Sequence, residues 1–124
     1  MDNRIICAAA IFVLAVSAAY VPADAWWVED GVAVCDDSAH QFYPMIVQDD
    51  SGGFIVIWMD QRSGNDDLYA QKFNVSGTPL WADNGVPVTT DPAGLNIAYV
   101  EAISDNRGGI IVAWTDHRSS SDDI

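Results

Sequence analysis

From residue 43 onward the chain alternates short apolar runs with clusters of turn-forming residues. The runs "YPMIVQ" (43–48), "GFIVIWMD" (53–60) and "DLYAQKFN" (67–74) are rich in β-branched and aromatic side chains, which is typical of β-strands. Gly, Asn, Asp and Ser dominate the gaps between them, as turns require. A fourth run, "PLWADNGVPV" (79–88), carries its own turn signal at Asn84-Gly85. Because no stretch after residue 25 has the 3.6-residue apolar period of a helix, the pattern predicts short antiparallel strands.

The strand pattern occurs twice in the sequence. "WVEDGVAV" (27–34) aligns with "WADNGVPV" (81–88), and "DDSGGFIVIWMDQR" (49–62) aligns with "DNRGGIIVAWTDHR" (105–118). The period is about 55 residues, with a two-residue insertion between the two anchors. Periods of this length are typical of arrays in which one unit cannot bury its apolar faces alone.

Four short antiparallel strands per period predict one blade of a β-propeller. The run "GFIVIW" is continuously apolar, as expected of a strand that neighbouring blades cover on both sides, whereas "LYAQKF" alternates. A β-sandwich and a β-solenoid are the competing all-β interpretations. We expect one complete blade in residues 26–88 and about half of a second blade in residues 89–124, preceded by a signal-peptide helix.

The stretch from Ser51 to Val88 resembles the tandem repeats of large secreted bacterial proteins with sialidase-like or kelch-like β-propellers. The likeness lies in "GG-apolar-W-x-D-x-R", "DDLYAQ" and "G-x-x-L-W", and it extends over the whole chain after residue 25. It implies a β-propeller of which this chain is an N-terminal fragment, because a propeller closes with at least four blades. The Asp box of sialidase-type blades, S-x-D-x-G-x-x-W, is not matched, since Val75 stands at its Asp position.

Residues 1–25 have the three parts of a signal peptide. "MDNR" supplies a positive charge at Arg4, "IICAAAIFVLAVSAAYV" is the apolar region, and "ADA" at Ala23–Ala25 is a small-x-small cleavage site. An uncleaved anchor helix is the alternative, for which the apolar run is short. We therefore expect an exported protein, secreted or held at the cell surface, without a membrane span after cleavage.

The net charge limits the binding partners of the chain, and the cysteine content limits its disulfide bonds. The chain has 18 Asp plus Glu against 5 Lys plus Arg, a net charge of -13, which argues against nucleic acid and anionic membranes. Of its two cysteines, Cys7 lies in the predicted signal peptide, so Cys35 has no internal disulfide partner. Its strand-like surroundings predict a buried apolar side chain, with a reactive or intermolecular thiol as the alternative.

The acidic phrase "WMDQRSGNDDL" (58–68), which recurs as "WTDHRSSSDDI" (114–124), contains the candidate metal site. Asp60, Asn65, Asp66 and Asp67 place four oxygen-bearing side chains within eight residues, which are the hard ligands that Ca²⁺ prefers. The spacing differs from that of an EF-hand. The competing interpretation is a structural hairpin in which Arg62 neutralises the carboxylates and Gly64 takes a positive φ.

The sequence predicts no catalytic site. His40 and His117 occupy non-equivalent positions of the two copies. The tryptophans fit packing between units, with sugar stacking as the alternative. Two functions follow: a noncatalytic repeat module for extracellular binding, adhesion or scaffolding, with a protein or a carbohydrate as partner, or a fragment of a secreted propeller hydrolase whose active site lies on other blades. The noncatalytic module needs no cofactor, and calcium is the one candidate ligand of this kind.

Overall fold

The computed structural model describes residues 5–7, 28–90 and 97–116 of the chain. These residues form eight short strands and no helix: β1 (Ile5–Cys7), β2 (Val32–Cys35), β3 (Gln41–Gln48), β4 (Phe54–Asp60), β5 (Asp67–Phe73), β6 (Val86–Pro87), β7 (Ala98–Ser104) and β8 (Ile110–Thr115). All pairs are antiparallel. The all-β prediction is therefore confirmed for this part of the chain.

The strands form one four-stranded sheet and two two-stranded sheets. β3, β4, β5 and β6 follow one another in chain order across the larger sheet, while β1 pairs with β2 and β7 pairs with β8. Short turns join β3 to β4, β4 to β5 and β7 to β8, as the Gly- and Asp-rich gaps predicted. The fourth predicted strand is shorter than its run, because residues 82–85 turn with a hydrogen bond from the Gly85 N–H to the Ala82 carbonyl.

The larger sheet is covered on both faces. On one face, Ile55, Ile57 and Met59 of β4 form a cluster with side chains of β5, against which the β7–β8 hairpin packs. On the other face, Val56 and Trp58 form a second cluster with Val34 and Cys35 of β2. From Ile55 to Asp60 every residue of β4 is buried. The prediction of a strand packed on both sides is thus confirmed, and so is the burial of Cys35, which is 1% exposed.

The two aligned hairpins, β3–β4 and β7–β8, have the same irregularity 56 residues apart. The pairing register breaks between Phe42 and Met45 in the first hairpin and between Ala98 and Glu101 in the second. A tyrosine lies in each break with a positive φ, 52° at Tyr43 and 50° at Tyr99. The backbone of each hairpin therefore bulges at the same place.

The predicted signal peptide is described only at β1. Ile5–Cys7 form a strand where a helix was predicted. β-Branched residues favour this conformation, and the edge of β2 is available to pair with them. Residues 8–25 lie outside the described part, so the signal peptide stays a prediction. No helix among the described residues is long and apolar enough to cross a membrane.

Gly85 is a position at which the packing leaves no room for a side chain. It has a φ of 82°, and an added Cβ would lie 2.4 Å from the Trp58 ring and 2.8 Å from the Ala70 carbonyl oxygen. Gly85→Ala should therefore lower the free energy of unfolding by about 3 kcal/mol or more, since backbone strain and overpacking add. Urea denaturation measures it.

Gly64→Ala is the matched control, because Gly64 has a φ of 91° but no atom within 4 Å of the added Cβ. It should lose only about 1 kcal/mol, the cost of the left-handed backbone. Equal losses in the two variants would contradict the packing of Gly85 against Trp58.

Candidate functional site

The acidic hairpin after β4 is built around a fully buried carboxylate. Asp60 is 0% exposed. Its Oδ2 accepts hydrogen bonds from the Trp58 indole N–H at 2.9 Å and from Nη2 of Arg62 at 2.6 Å. Its Oδ1 accepts from the backbone N–H and from Nε of Arg62, at 2.9 and 3.0 Å. Both carboxylate oxygens are thus held by the Trp-x-Asp-x-Arg motif itself.

Arg62 extends this network to three other segments. Its guanidinium lies 4.0 Å from the centre of the Tyr69 ring on β5. Nη2 also donates to the Asn84 carbonyl at 2.9 Å and contacts Sγ of Cys35 on β2 at 3.3 Å. One side chain therefore joins the β4–β5 hairpin to the turn before β6 and to β2.

The network fixes the charge states of its members. Burial raises the pKa of Asp60, but the hydrogen bonds from Arg62 and Trp58 outweigh it, and the pKa lies below its ordinary value. The bond to Asp60 raises the pKa of Arg62 in turn. Burial raises the pKa of the Cys35 thiol, which keeps it protonated and poorly nucleophilic.

The other three predicted calcium ligands make separate bonds. Oδ1 of Asp66 accepts from the Gln61 side-chain amide at 2.8 Å. Oδ2 of Asp67 accepts from the Ser63 hydroxyl at 2.6 Å, and Oδ1 from the Thr89 hydroxyl at 3.3 Å. The Asn65 N–H donates to Ser63. Among the described residues no group of three or more His, Cys, Asp or Glu side chains is placed to hold a metal, and calcium stays a prediction.

A second acidic motif, Asp-(Asp/Asn)-x-Gly-Gly, forms the β3–β4 and β7–β8 turns. Asp49 accepts from the N–H groups of Ser51 and Gly53 and from the Ser51 hydroxyl. Asp105 accepts from the N–H groups of Arg107 and Gly109 in the same way. The sequence contained the signal, because both aspartates precede the Gly-Gly pair by the same spacing.

Lys72 joins these two turns. Its Nζ lies 3.0 Å from Oδ2 of Asp49 and donates to the Gly108 carbonyl at 2.6 Å. The Ser51 hydroxyl, Lys72 and backbone N–H groups together lower the pKa of Asp49 to about 2, against the opposing effect of burial. Backbone N–H groups of Gly109 and Arg107 lower the pKa of Asp105. A charged carboxylate at each turn therefore stabilises the hairpin, and Lys72 fixes one hairpin to the next.

A cavity of about 400 Å³ lies between the larger sheet and β7, and we call it the tyrosine cleft. Its walls are apolar and aromatic, formed by Tyr43, Pro44, Met45, Ile57, Trp58, Met59, Leu68, Ile97, Ala98, Tyr99 and Val100. Tyr43 and Tyr99 are 78% and 86% exposed. The cleft has the size and the lining of a ligand pocket.

The two tyrosines occupy strained backbone. A non-glycine residue held with a positive φ costs about 1–3 kcal/mol, and such residues cluster at binding sites. Neither side chain recovers this cost by burial, since both are exposed. One residue in the sequence indicated the bulge. Pro44 lies inside a predicted strand, where proline is tolerated mainly at bulges.

The remaining predicted side chains have structural surroundings or lie outside the described part. Trp58 is 0% exposed, and Trp81 and Trp114 pack against the core as predicted. His40 stacks on Phe42 with ring centres 5.0 Å apart. Residues 26, 27 and 117 are outside the described ranges.

Removing the Arg62 guanidinium should lower the free energy of unfolding more than replacing an exposed residue does. Arg62→Met leaves the buried Asp60 charge unpaired, which costs about 3–5 kcal/mol of unfolding free energy. Arg62→Lys should lose less, because lysine keeps the charge but not the two-pronged geometry. Arg107→Met, at an exposed position, is the control and should change stability by less than about 0.5 kcal/mol. Equal stability of all three variants would contradict the network.

Stability should fall in acid, because the pKa of Asp49 is about 2 and those of Asp60 and Asp105 are also lowered. The unfolded chain, with ordinary aspartate pKa values near 4, binds protons first as the pH drops. The stabilisation is thus complete above about pH 5 and is lost between about pH 4 and pH 2.

Urea midpoints across this range measure the effect. Asp49→Asn should make the acid dependence shallower, whereas Asp50→Asn, at an exposed position in the same turn, should change it less. A midpoint independent of pH down to 2 would show that these carboxylates do not stabilise the fold.

Comparisons with known proteins gave no match: no protein-family model, no curated protein and no solved structure matches this chain.

Proposed function

We propose that this chain is an exported, noncatalytic repeat module of the β-propeller type that binds an extracellular partner in the tyrosine cleft. The observation that carries the proposal is the cleft: two exposed, backbone-strained tyrosines at equivalent positions of two hairpins lie at one apolar cavity. The other non-glycine residues with a positive φ in the described part of the chain are Asp30, Asn84 and Asn106, which tolerate that conformation well, whereas a bulky tyrosine does not.

The blade interpretation is supported by how the strands pack. A four-stranded meander, β3 to β6, has both faces covered, by β2 on one side and by the β7–β8 hairpin of the second repeat on the other. Propeller blades stack in this manner. The repeated polar motifs support the scaffold half of the proposal, because Asp60 and Asp49 bond to residues of the chain itself.

The cleft chemistry favours an apolar side chain of a protein partner over a sugar. Met45, Leu68 and Ile97 wall the cavity, and burying an apolar group there contributes about 25 cal/mol per Å². Sugar hydroxyls buried against such walls would lack hydrogen-bond partners, which costs about 1–3 kcal/mol for each group. The net charge of -13 favours a partner segment that also carries Lys or Arg.

A peptide array and a glycan array, both probed with the labelled 124-residue chain, test the proposal. We expect binding to peptides with an aliphatic or aromatic residue flanked by basic residues, and loss of binding by about tenfold or more in Tyr43→Asn and Tyr99→Asn. Asparagine tolerates a positive φ, so both variants should be as stable as the parent chain or up to about 1 kcal/mol more stable.

Val75→Asn, at a position 69% exposed and outside the cleft lining, is the control and should keep peptide binding. Selection of glycans alone would replace the protein partner by a carbohydrate. Absence of selection on both arrays, or binding that the two tyrosine variants retain, would refute the cleft as the binding site.

A further inference from the structure

The side chains of the tyrosine cleft offer few hydrogen bonds to a bound molecule. Among the described residues that line it, Tyr43, Trp58 and Tyr99 carry a hydrogen-bonding group on an aromatic side chain. The Trp58 indole N–H already donates to Asp60. The hydroxyl groups of the two tyrosines, which are 78% and 86% exposed, are therefore the side-chain groups that reach a ligand.

This chemistry limits which peptide backbone the cleft accepts. An ordinary peptide segment that lies against apolar walls loses the water on its N–H groups, and each group left without an acceptor weakens binding. Proline has no backbone N–H, so a proline-rich segment has fewer such groups to lose. Its carbonyl oxygens still accept hydrogen bonds, and the tyrosine hydroxyls donate them.

The tyrosine rings also suit proline. The face of an aromatic ring is the negative part of its quadrupole, and it attracts the partly positive C–H groups beside the proline nitrogen. Tyr43 packs edge to face with Phe42, with ring centres 5.1 Å apart, so its ring is positioned before a ligand binds. Tyr43 stays exposed although the β7–β8 hairpin packs on the sheet that carries it. Its exposure is therefore not that of an uncovered sheet face.

The separation of the two tyrosines matches one conformation of a proline-rich chain. Tyr43 and Tyr99 occupy equivalent positions of two packed sheets, and packed sheets lie about 10 Å apart. In a polyproline II helix, residues three apart lie on the same side and are separated by about 9 Å. In an extended strand, same-side residues recur every ~7 Å. The polyproline II repeat therefore places one proline on each tyrosine.

We infer that the tyrosine cleft binds a proline-rich segment of its partner in the polyproline II conformation, with prolines three residues apart on the two tyrosine rings. This inference rests on the proposed function, which places a protein ligand in the cleft, and it adds the conformation and sequence pattern of that ligand. The free segment already favours this conformation, so it loses little conformational entropy on binding. The net charge of -13 favours Lys or Arg beside the prolines.

Fluorescence anisotropy of labelled peptides mixed with the 124-residue chain tests the inference. All three peptides carry lysines at both ends and alanine at the positions written x. The first has the pattern Pro-x-x-Pro, the second has the same composition with the pattern Pro-x-Pro, and in the third leucine replaces both prolines of the first. We expect the first peptide to bind about tenfold or more tightly than each of the others.

Variants of the two tyrosines separate the ring from the hydroxyl. Tyr43→Phe and Tyr99→Phe should each weaken binding of the Pro-x-x-Pro peptide by about threefold, because a peptide carbonyl loses its donor. Tyr43→Asn and Tyr99→Asn should each weaken it by about tenfold or more, because the ring is lost as well. Val75→Asn, outside the cleft lining, is the control and should bind this peptide like the parent chain.

The outcomes distinguish this inference from the proposed function. Tightest binding of the leucine peptide, lost in Tyr43→Asn, would overturn the proline pattern and leave the cleft as a site for a protein ligand. Equal binding of the Pro-x-x-Pro and Pro-x-Pro peptides would overturn the polyproline II spacing. Binding of none of the three peptides would overturn the inference, and an absence of selection on the two arrays would refute the proposed function as well.

Discussion

The structure depends on one strand that is apolar on both of its faces. Every residue of β4 from Ile55 to Asp60 is buried, and a lone sheet has water on at least one side. Trp58 and Ile57 point to opposite clusters, each supplied partly by a neighbouring segment. Burying a large apolar side chain contributes about 1.5–3 kcal/mol, so β4 gains its full stabilisation only when both neighbours are in place. The larger sheet therefore depends on the segments that cover its two faces.

The polar motifs hold this stack in register. Apolar packing is non-directional, so sliding one sheet along another costs little free energy. A buried ion pair, in contrast, is stabilising in one geometry only. Arg62 ties the larger sheet to β2 on one side through Asp60 and Cys35. Lys72 ties it to the β7–β8 turn on the other side through Asp49 and Gly108. The acidic composition of the chain therefore has a local use: carboxylates at strand ends accept bonds that position the turns.

Much of the fold follows from the sequence pattern, and the reasons are local. The strand β4 and its turns are predictable because a continuous apolar run with a Ser-Gly turn signal on each side is typical of a buried strand between two turns. The partners of Asp60 are partly predictable, since Arg62 lies two residues away. Cys35 and Asn84 are distant in sequence, so their contacts with Arg62 depend on tertiary packing that no spacing reveals.

The tyrosine cleft could not be predicted from the pattern of apolar and polar residues. An alternating run assigns Tyr43 to one face of β3, but the register break between Phe42 and Met45 moves it to the cavity mouth. Pro44 is the sole local sign of that break in the first hairpin, and Val100 stands at its position in the second. Both hairpins nevertheless bulge, with φ values of 52° and 50°. Since proline is not needed for the bulge, what the two share is the exposed tyrosine, which argues that the side chain rather than the backbone is the reason for the strain.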